Sequence, residues 1–329
     1  MARTGDQTFR VAREQSQQTL ASLLRHWLPG KAWSEVRQLV KSRRVLVSGN
    51  LCVDAGRRLR PDEVVKLLEH PTAPLPREDD VRIRYLDVHL VVVEKPSGMT
   101  SVRHAEERHW SSRRRQLQPT LEDLLPRVIA KKSSRGAKGR RGTKPGKLPP
   151  VRPVHRIDRE TSGLMVFART PQAERHLVQQ FRRHVTHRRY LAVAKGLVQA
   201  QTIESQLVRD RGDGRRGSTT HGGMGKRAVT HVRPIERLNG YTLIECRLET
   251  GRTHQIRIQL AELGHPLCGE TIYQRPLFGE AEPDTSGAPR LALHAAELGL
   301  EHPTTGEQLE FKMPLPDDLA RLVDRLRRV

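Results

Sequence analysis

The chain has 329 residues, which is enough for more than one domain with a hydrophobic core of its own. Its 59 lysines and arginines outnumber 37 aspartates and glutamates, giving a formal net charge of +22. Such an excess favours a polyanionic partner, of which nucleic acid is the commonest. No stretch reaches the roughly 18 continuous apolar residues of a membrane-spanning helix, and the N-terminal residues are polar, so we expect a cytoplasmic protein without a membrane partner.

The cysteine and histidine patterns argue against bound metal. Cys52, Cys246 and Cys268 stand alone without CxxC spacing, which favours reduced buried thiols over disulfides or a zinc site. The 15 histidines form neither HExxH nor paired Cys and His ligand patterns. No Walker pattern occurs, and no GxGxxG follows a predicted strand. We therefore predict no metal and no nucleotide cofactor.

Two short helices and a hairpin are predicted near the N-terminus, after a polar arm over residues 1–15. Apolar residues recur at helical spacing from Leu20 to Trp27, and again from Val36 to Val40 after Ser34, which can serve as an N-cap. Residues 43–67 then alternate apolar and polar side chains around a Ser-Gly-Asn turn. This pattern predicts a small module over residues 16–69, followed by a proline-rich linker over residues 70–79.

The stretch VHRIDRETSGLMVFART, residues 154–170, places a block of unlike charges before a small-residue turn and an apolar run. That order predicts a loop delivered onto a strand. Arg156 and Arg159 flank Asp158 and favour its ionised carboxylate, which can act as a nucleophile but is a poor general acid. By itself, such a cluster is more often a structural ion pair at a loop corner.

The same block resembles the HRLDxxTSG signature of the RluA-type pseudouridine synthases, in which the Asp of HRxD is catalytic. Three further stretches resemble motifs of that family in the family's order, and the resemblance spans about residues 82–316. KPSG at 95–98 is similar to its KPxG turn, and RRYLAVAKG at 188–196 to its KxYxAxxxG pattern, with Arg188 at the usual Lys. Residues 250–273 are similar to TGRxHQIRxHxxxxGxPxxGDxxY, with Gln259 at the usual His and Glu270 at the usual Asp.

The resemblance implies an α+β catalytic domain over residues 80–329, with a mixed, mainly antiparallel sheet flanked by helices and loops. It implies that Asp158 is the catalytic carboxylate and that Arg257 pairs with it. Tyr190 would stack on the uracil and supply a hydroxyl for the later proton removal. Neither Gln259 nor Glu270 aligns with a catalytic position of the family. The residues expected to contact RNA in this domain are Arg156, Arg252 and His254.

The N-terminal module is similar to the small α/β RNA-binding domain named after ribosomal small-subunit protein four, although Pro61-Asp62 stands where Gly-Asp is usual. In that domain the second helix and the following turn present basic residues to the phosphate backbone. The corresponding residues here are Arg37, Lys41, Arg43 and Arg44. The residues alone leave a solvated basic face as an equal alternative.

Residues 131–147 contain eight basic side chains and no acidic or large apolar ones. Such a segment cannot bury enough apolar surface to offset its ordering entropy, so we predict a disordered insertion. It would either contact RNA phosphates or serve only to keep the chain soluble.

These observations predict an RNA pseudouridine synthase that converts specific uridines in structured RNA. Large-subunit ribosomal RNA is the first choice of substrate and transfer RNA the second. The reaction is an isomerisation and needs no cofactor, and we expect a monomer. Two other classes stay open: a noncatalytic RNA-binding or ribosome-assembly factor, and a basic RNA-cleaving enzyme. A binding factor does not need Asp158, Tyr190 and Arg257 in register, and a nuclease typically needs several carboxylates for metal ions or paired histidines.

Overall fold

The computed structural model describes residues 7–48, 50–69, 76–103, 107, 109–110, 112–136, 148–212, 215–221, 223–274 and 283–328. These residues form two compact units. The smaller unit contains the described residues up to 69 and those between 107 and 119, and the larger contains the rest. The segment between 107 and 119 thus belongs with the N-terminal unit although it follows strands of the other one.

The smaller unit packs two helices on an antiparallel sheet. Its elements are β1 Gln7–Arg10, α1 Leu20–Trp27, α2 Trp33–Lys41, β2 Val45–Val47, β3 Asn50–Leu51, β4 Val64–Leu67 and α3 Ser112–Leu117. The strand order is β1-β4-β2-β3. The apolar faces of α1 and α2, among them Leu24 and Val40, are buried against Val45 and Val65 of the sheet. The helical spacing read from the sequence therefore marks the residues that form this core.

Two details of this region differ from the sequence-based expectations. Residues 7–10 of the predicted polar arm form β1, which pairs with β4 and stacks Phe9 on Trp27 at 4.9 Å. Helix α2 begins at Trp33, one residue before the predicted cap Ser34, because the Glu35 carboxylate accepts a hydrogen bond from the Ala32 N–H at 2.7 Å. Residues 1–6 of the arm and 70–75 of the predicted linker lie outside the described residues.

In the residues that the structure describes, the larger unit is built on one sheet of eleven strands. They are β5 Arg82–Leu86, β6 Leu90–Lys95, β7 Arg152–Pro153, β8 Ser162–Ala168, β9 His187–Lys195, β10 Gln201–Val208, β11 Gly217–Thr219, β12 Lys226–Leu238, β13 Tyr241–Leu248, β14 Leu293–Glu301 and β15 Gln308–Lys312. The order is β11-β10-β12-β13-β9-β14-β8-β6-β5, with β15 on β14 and β7 on β8. Among the described strands, β14 and β8 run parallel and the other pairs are antiparallel. The predicted mixed, mainly antiparallel sheet is confirmed.

Four helices accompany this sheet: α4 Leu121–Gly136, α5 Pro171–Arg182, α6 Gln255–Glu262 and α7 Asp317–Arg328. The helical spacing of Ala173, Leu177 and Phe181 predicts α5, and the helix-like stretch RTHQIRIQLAELG, residues 252–264, predicts α6. Helix α5 begins as expected, with Pro171 in its first turn and the Thr170 hydroxyl accepting a hydrogen bond from the Ala173 N–H at 3.1 Å. In the part of the chain that the structure describes, no helix combines the length and apolar character needed to cross a membrane.

Helices α4 and α7 were not predicted, and α4 corrects the predicted disorder for residues 131–136. Residues 131–136 form the last turns of α4, whose Leu121, Leu125 and Ile129 are buried at a spacing of four residues. Lys131 forms an ion pair with Glu78 at 2.7 Å, where a short 3-10 turn, Glu78–Asp80, occupies the end of the predicted linker. Residues 137–147 lie outside the described residues.

The repeated glycines before Ala228 predict no regular structure there. The structure corrects this, because Gly217–Thr219 forms β11 and β12 begins at Lys226. The three cysteines are buried free thiols, as expected. Among the described residues, no group of three or more His, Cys, Asp and Glu side chains is arranged to hold a metal ion.

Strand β8 approaches β14 so closely that residue 163 has to be glycine. Gly163 has φ +126°, a conformation that side chains rarely adopt, and a Cβ there would overlap the backbone of Ala295. Gly163 and Ala295 are direct partners in the parallel pairing of β8 with β14. This contact fixes the end of the loop that carries Asp158.

We therefore expect Gly163→Ala to lower the free energy of unfolding by about 3 kcal/mol or more, through strain and backbone overlap. The matched control is Gly306→Ala in the turn between β14 and β15, where φ is +73° but no atom lies within 4 Å of the added carbon. That variant should lose only about 1 kcal/mol. Urea unfolding of both variants gives the comparison, and equal losses would contradict the close-contact explanation.

Candidate active site

The loop from β7 to β8 carries Asp158, and hydroxyl groups from the segment after β6 hold its backbone. The Ser101 hydroxyl donates to the carbonyl of Ile157 at 2.6 Å, and the Ser97 hydroxyl donates to the carbonyl of Glu160 at 2.6 Å. The carboxylate of Asp158 lies between these two anchors in sequence. Its side chain retains 16% of its exposure, so a substrate can reach it.

A buried lysine completes this support. Lys95 is 1% exposed, and its ammonium group donates to the carbonyls of Pro96, Met99 and Arg159 at 2.9, 2.8 and 3.0 Å. The three N–H groups thus have three acceptors. Burial lowers the pKa of Lys95 to about 7, while the charges of Glu160 and Asp158 oppose that shift. The turn of the KPxG-like motif therefore lies directly under the Asp158 loop.

His155 anchors the start of the same loop as a neutral side chain. Its Nε2 accepts a hydrogen bond from the Val166 N–H at 3.0 Å, and its ring stacks on Phe181 at 4.4 Å. Burial lowers the pKa of His155 to about 3, and the positive charge of Arg188 adds to the effect. Since Nε2 is the acceptor, the neutral ring carries its proton on Nδ1.

Tyr190 lies on β9 and is half-buried between two parts of the hydrophobic core. Burial raises the pKa of its hydroxyl to about 12; Arg188 opposes this shift, and the Asp158 carboxylate adds to it. The hydroxyl is therefore protonated at neutral pH. The Tyr190 hydroxyl and the Asp158 carboxylate therefore interact electrostatically.

Arg257 does not make the expected bidentate pair with Asp158. Its Nε and Nη2 atoms donate to the two carboxylate oxygens of Glu270 at 2.7 and 2.6 Å, and both side chains are almost fully buried. Burial disfavours the charged guanidinium, but Glu270 outweighs this and raises the pKa of Arg257, with a smaller contribution from Asp158. Asp158 therefore interacts with Arg257 through space while Glu270 binds its fork.

Glu270 is suited to this role because the backbone following it supplies further donors. One carboxylate oxygen, Oε1, accepts hydrogen bonds from the N–H groups of Thr271 and Ile272 at 2.9 and 2.8 Å. The departure from Asp to Glu thus lies at a structurally central position, although the sequence analysis placed it outside the site. The other departure from the motif, Gln259, is also buried. Its side-chain amide accepts a hydrogen bond from the Thr230 hydroxyl at 2.6 Å and donates one to the Ser205 hydroxyl at 2.9 Å.

His254, which was predicted to contact RNA, lies beside Asp158. It precedes α6 in the left-handed conformation, with φ 58° and ψ 22°. Its Nδ1 is 2.7 Å from the hydroxyl of Tyr273, and its Nε2 is 3.9 Å from Oδ1 of Asp158. Burial lowers the pKa of His254 to about 4 against the opposing charge of Asp158.

Two predicted RNA contacts lie on the exposed side of this site. Arg156 is exposed and donates from Nη2 to the Thr253 hydroxyl at 3.3 Å, and Arg252 is exposed and donates from Nε to the Arg227 carbonyl at 3.0 Å. Lys95, Glu270 and Tyr273 were not predicted as site residues. Their signal was present, because each occupies a fixed position of a matched motif.

In the smaller unit, the four predicted RNA contacts differ in their surroundings. Arg37 and Lys41 on α2 are exposed, whereas Arg44 is half-buried and donates from Nε to the carbonyl of Leu68 at 2.8 Å. Arg43 is half-buried and has a left-handed backbone, with φ 61°. Arg37 and Lys41 are therefore the members of this set with the freest access to a partner.

Comparison with known proteins gives the class of this site. Residues 89–262 match the family model of RNA pseudouridylate synthases. A solved human structure, RNA Pseudouridylate Synthase Domain Containing 4, has the same fold with a TM-score of 0.56 at 23% identity, covering 74% of this chain and 92% of its own.

Two curated relatives narrow the comparison. The chain is 38% identical to the uncharacterized RNA pseudouridine synthase YlyB of Bacillus subtilis over 90% of both chains. It is 37% identical to ribosomal large subunit pseudouridine synthase D of Zymomonas mobilis, over 79% of this chain and 77% of that protein. The chain therefore belongs to the RNA pseudouridine synthase family, and the family predicted from its motifs is confirmed.

The neutral His155 predicts an acid-sensitive stability. Its pKa is about 3 in the folded chain against 6.5 for an ordinary histidine, so from pH 6.5 downwards the unfolded chain binds a proton that the folded chain does not. The free energy of unfolding should therefore fall on acidification, by about 2 kcal/mol at pH 5 from this residue. His155→Gln keeps an acceptor but cannot titrate, and it should reduce that loss.

The measurement is urea unfolding at pH 7 and pH 5 for wild type, His155→Gln and the exposed control His221→Gln. The control should keep the wild-type difference between the two pH values. An unchanged pH dependence in His155→Gln would contradict a buried neutral imidazole at this position.

Proposed function

We propose that this enzyme converts specific uridines of large-subunit ribosomal RNA to pseudouridine, with Asp158 as its catalytic carboxylate. The observation that carries the assignment is the placement of Asp158, on a loop held by Lys95, Ser97 and Ser101, within the electrostatic reach of Tyr190. The choice of ribosomal RNA is supported by the name of the Zymomonas mobilis relative. The cytoplasmic location and the monomeric state stay predictions.

The reaction breaks the bond between the sugar and N1 of uracil and joins the same sugar carbon to C5. The proton on C5 leaves and N1 gains one, so atoms and electrons balance without a cofactor. The target base has to leave its stack first, at a cost of roughly a few kcal/mol. We assign the exposed guanidinium of Arg156 to holding the opened RNA, since it lies two residues from Asp158 and carries a free charge for phosphate.

Tyr190 is assigned to stacking on the uracil and to donating a hydrogen bond. With a hydroxyl pKa of about 12, forming its phenolate at pH 7 would cost about 7 kcal/mol. Direct removal of the C5 proton by this group is therefore costly, contrary to the role that the sequence resemblance suggested. The Asp158 carboxylate is the better acceptor for that proton.

Asp158→Asn should lower the rate of pseudouridine formation by roughly a thousandfold or more, because the amide keeps the shape but cannot supply the anion. The dissociation constant for RNA should change less than about threefold. Tritium release from RNA labelled at C5 of uridine measures the rate, and filter binding measures affinity. Asp324→Asn on α7, an exposed position, is the matched control and should behave as wild type. Substantial turnover by Asp158→Asn would refute the assignment.

We further propose that the smaller unit, which resembles the ribosomal-protein-four domain, binds the same RNA outside the catalytic site. Trp33, Arg37 and Lys41 follow each other at four-residue intervals on α2 and are exposed, in a row beside the buried Val36 and Val40. We name Trp33, Arg37 and Lys41 the α2 stripe.

The aromatic member of the α2 stripe suits unpaired RNA. Trp33 is 43% exposed, and the guanidinium of Arg25 lies over its ring at 4.7 Å. An exposed indole beside basic residues offers a stacking surface for an unpaired base next to charges for phosphates. A merely solvated face would gain nothing from exposing a large aromatic side chain.

The double variant Arg37→Ala/Lys41→Ala should reduce the slope of log affinity against log salt by about 1 to 2, because two phosphate contacts are lost. The rate at saturating RNA should not change. A matched control, Arg10→Ala/Lys66→Ala, removes the same charge from strands β1 and β4. If both double variants reduced the slope equally, the effect would reflect net charge and not the α2 stripe.

A further inference from the structure

We propose that His254 is a positioning residue that donates a hydrogen bond from Nε2 to the Asp158 carboxylate, and that Tyr273 fixes the imidazole tautomer that allows this. The inference deepens the proposed function and rests on Asp158 being the catalytic carboxylate. His254 then acts on Asp158 within the protein and is not the RNA contact that the sequence resemblance implies.

The backbone of His254 aims its ring between Tyr273 and Asp158. A non-glycine residue with positive φ is uncommon and costs free energy, so its conformation has to be stabilised by the surroundings. Here φ is 58°, directly before α6, and the ring meets the Tyr273 hydroxyl on one side at 2.7 Å and faces Asp158 on the other. Its two nitrogen atoms thus face two different partners.

The hydrogen-bonding needs of Tyr273 select the tautomer. Among the described residues, Nδ1 of His254 is the hydrogen-bond partner of the Tyr273 hydroxyl. Burial raises the pKa of Tyr273, so this hydroxyl keeps its proton and needs an acceptor. If Nδ1 accepts that proton, the proton of the neutral imidazole lies on Nε2 and points towards Asp158. If the proton were on Nδ1, the hydroxyl proton of Tyr273 would have no acceptor on His254. The lone pair of Nε2 would then face the negatively charged carboxylate of Asp158.

Tyr273 is itself held by the buried ion pair. Its N–H donates to Oε1 of Glu270 at 3.3 Å, and the guanidinium of Arg257 lies over its ring at 5.3 Å. The side chain is 4% exposed. Arg257 thus affects Asp158 in two ways: directly through its positive charge, and indirectly because it packs on Tyr273, which holds His254 beside Asp158.

The distance from His254 Nε2 to Asp158 Oδ1 is 3.9 Å, about 1 Å longer than a hydrogen bond. Catalytic hydrogen bonds are often long without substrate and shorten in the complex. The charged groups that face His254 are Asp158, Arg257, Glu270 and Arg216. A neutral imidazole among them orients the carboxylate without neutralising it.

Two substitutions separate the donor from the rest of the ring. His254→Asn suits the left-handed backbone but ends at the position of Nδ1, whereas the amide of His254→Gln extends to the position of Nε2. We expect His254→Asn to lower the single-turnover rate at saturating RNA by about 10- to 100-fold, with the dissociation constant changed less than about threefold. His254→Gln should recover most of that loss. A weaker affinity with an unchanged saturated rate would instead place His254 on RNA and overturn the proposal.

A spectroscopic measurement tests the tautomer without using activity. In protein labelled with nitrogen-15 in histidine, the imidazole signals of wild type should show the proton of His254 on Nε2. Tyr273→Phe should shift that signal towards a tautomer mixture, while the control Tyr241→Phe, whose hydroxyl contacts Thr285 at 3.3 Å, should leave it unchanged. A proton on Nδ1 in the wild type would overturn the proposal even if Asp158→Asn confirms the catalytic carboxylate.

Discussion

The geometry of the candidate active site depends on one buried ion pair, between Arg257 and Glu270. Burying either charge alone would cost several kcal/mol, so the two side chains and the backbone around them have to fold together. The pair joins α6 to the loop that follows it, and the Oε1 atom of Glu270 also accepts hydrogen bonds from Thr271, Ile272 and Tyr273. One interaction thereby sets the position of both ends of the segment that faces Asp158.

The buried amino group of Lys95 supports the Asp158 loop from a segment much earlier in the sequence. Lys95 binds the loop through the carbonyl of Arg159 and binds its own turn through the carbonyls of Pro96 and Met99. Its contacts are to backbone, so they position the loop without occupying the carboxylate. Gly163 completes this arrangement, because the close approach of Ala295 fixes where the loop enters β8. The loop is thus constrained before, beneath and after Asp158.

Local elements of secondary structure could be predicted from the sequence, but pairings between distant side chains could not. Helical apolar spacing located α1, α2 and α5, since this pattern follows from which face is buried, and two short β-rich runs broken near Asp87 located β5 and β6. Motif matching located the loop and the residues around it. Neither could identify the partner of Arg257, because a motif specifies residue types and the pairing depends on which carboxylate its loop brings within reach. Residues 131–136 show the same limit, since a basic stretch continues a helix whose apolar face is buried earlier at Leu121 and Leu125.

The charged groups of the site are arranged so that Asp158 can be partly buried and still have its oxygens accessible: Arg257 is paired with Glu270, and two of the side chains that interact with Asp158 are neutral. The fork of Arg257 is fully used by Glu270, so it contributes a field at Asp158 but does not bind its oxygens. Two side chains that interact with Asp158, His254 and Tyr190, are neutral at neutral pH because burial lowers the pKa of His254 and raises the pKa of Tyr190. In the proposed function, Asp158 would therefore keep lone pairs available for the substrate, while the exposed guanidinium groups of Arg156 and Arg252 would supply the positive charge that attracts RNA. A direct ion pair on Asp158 would have bound the oxygens that the reaction has to use.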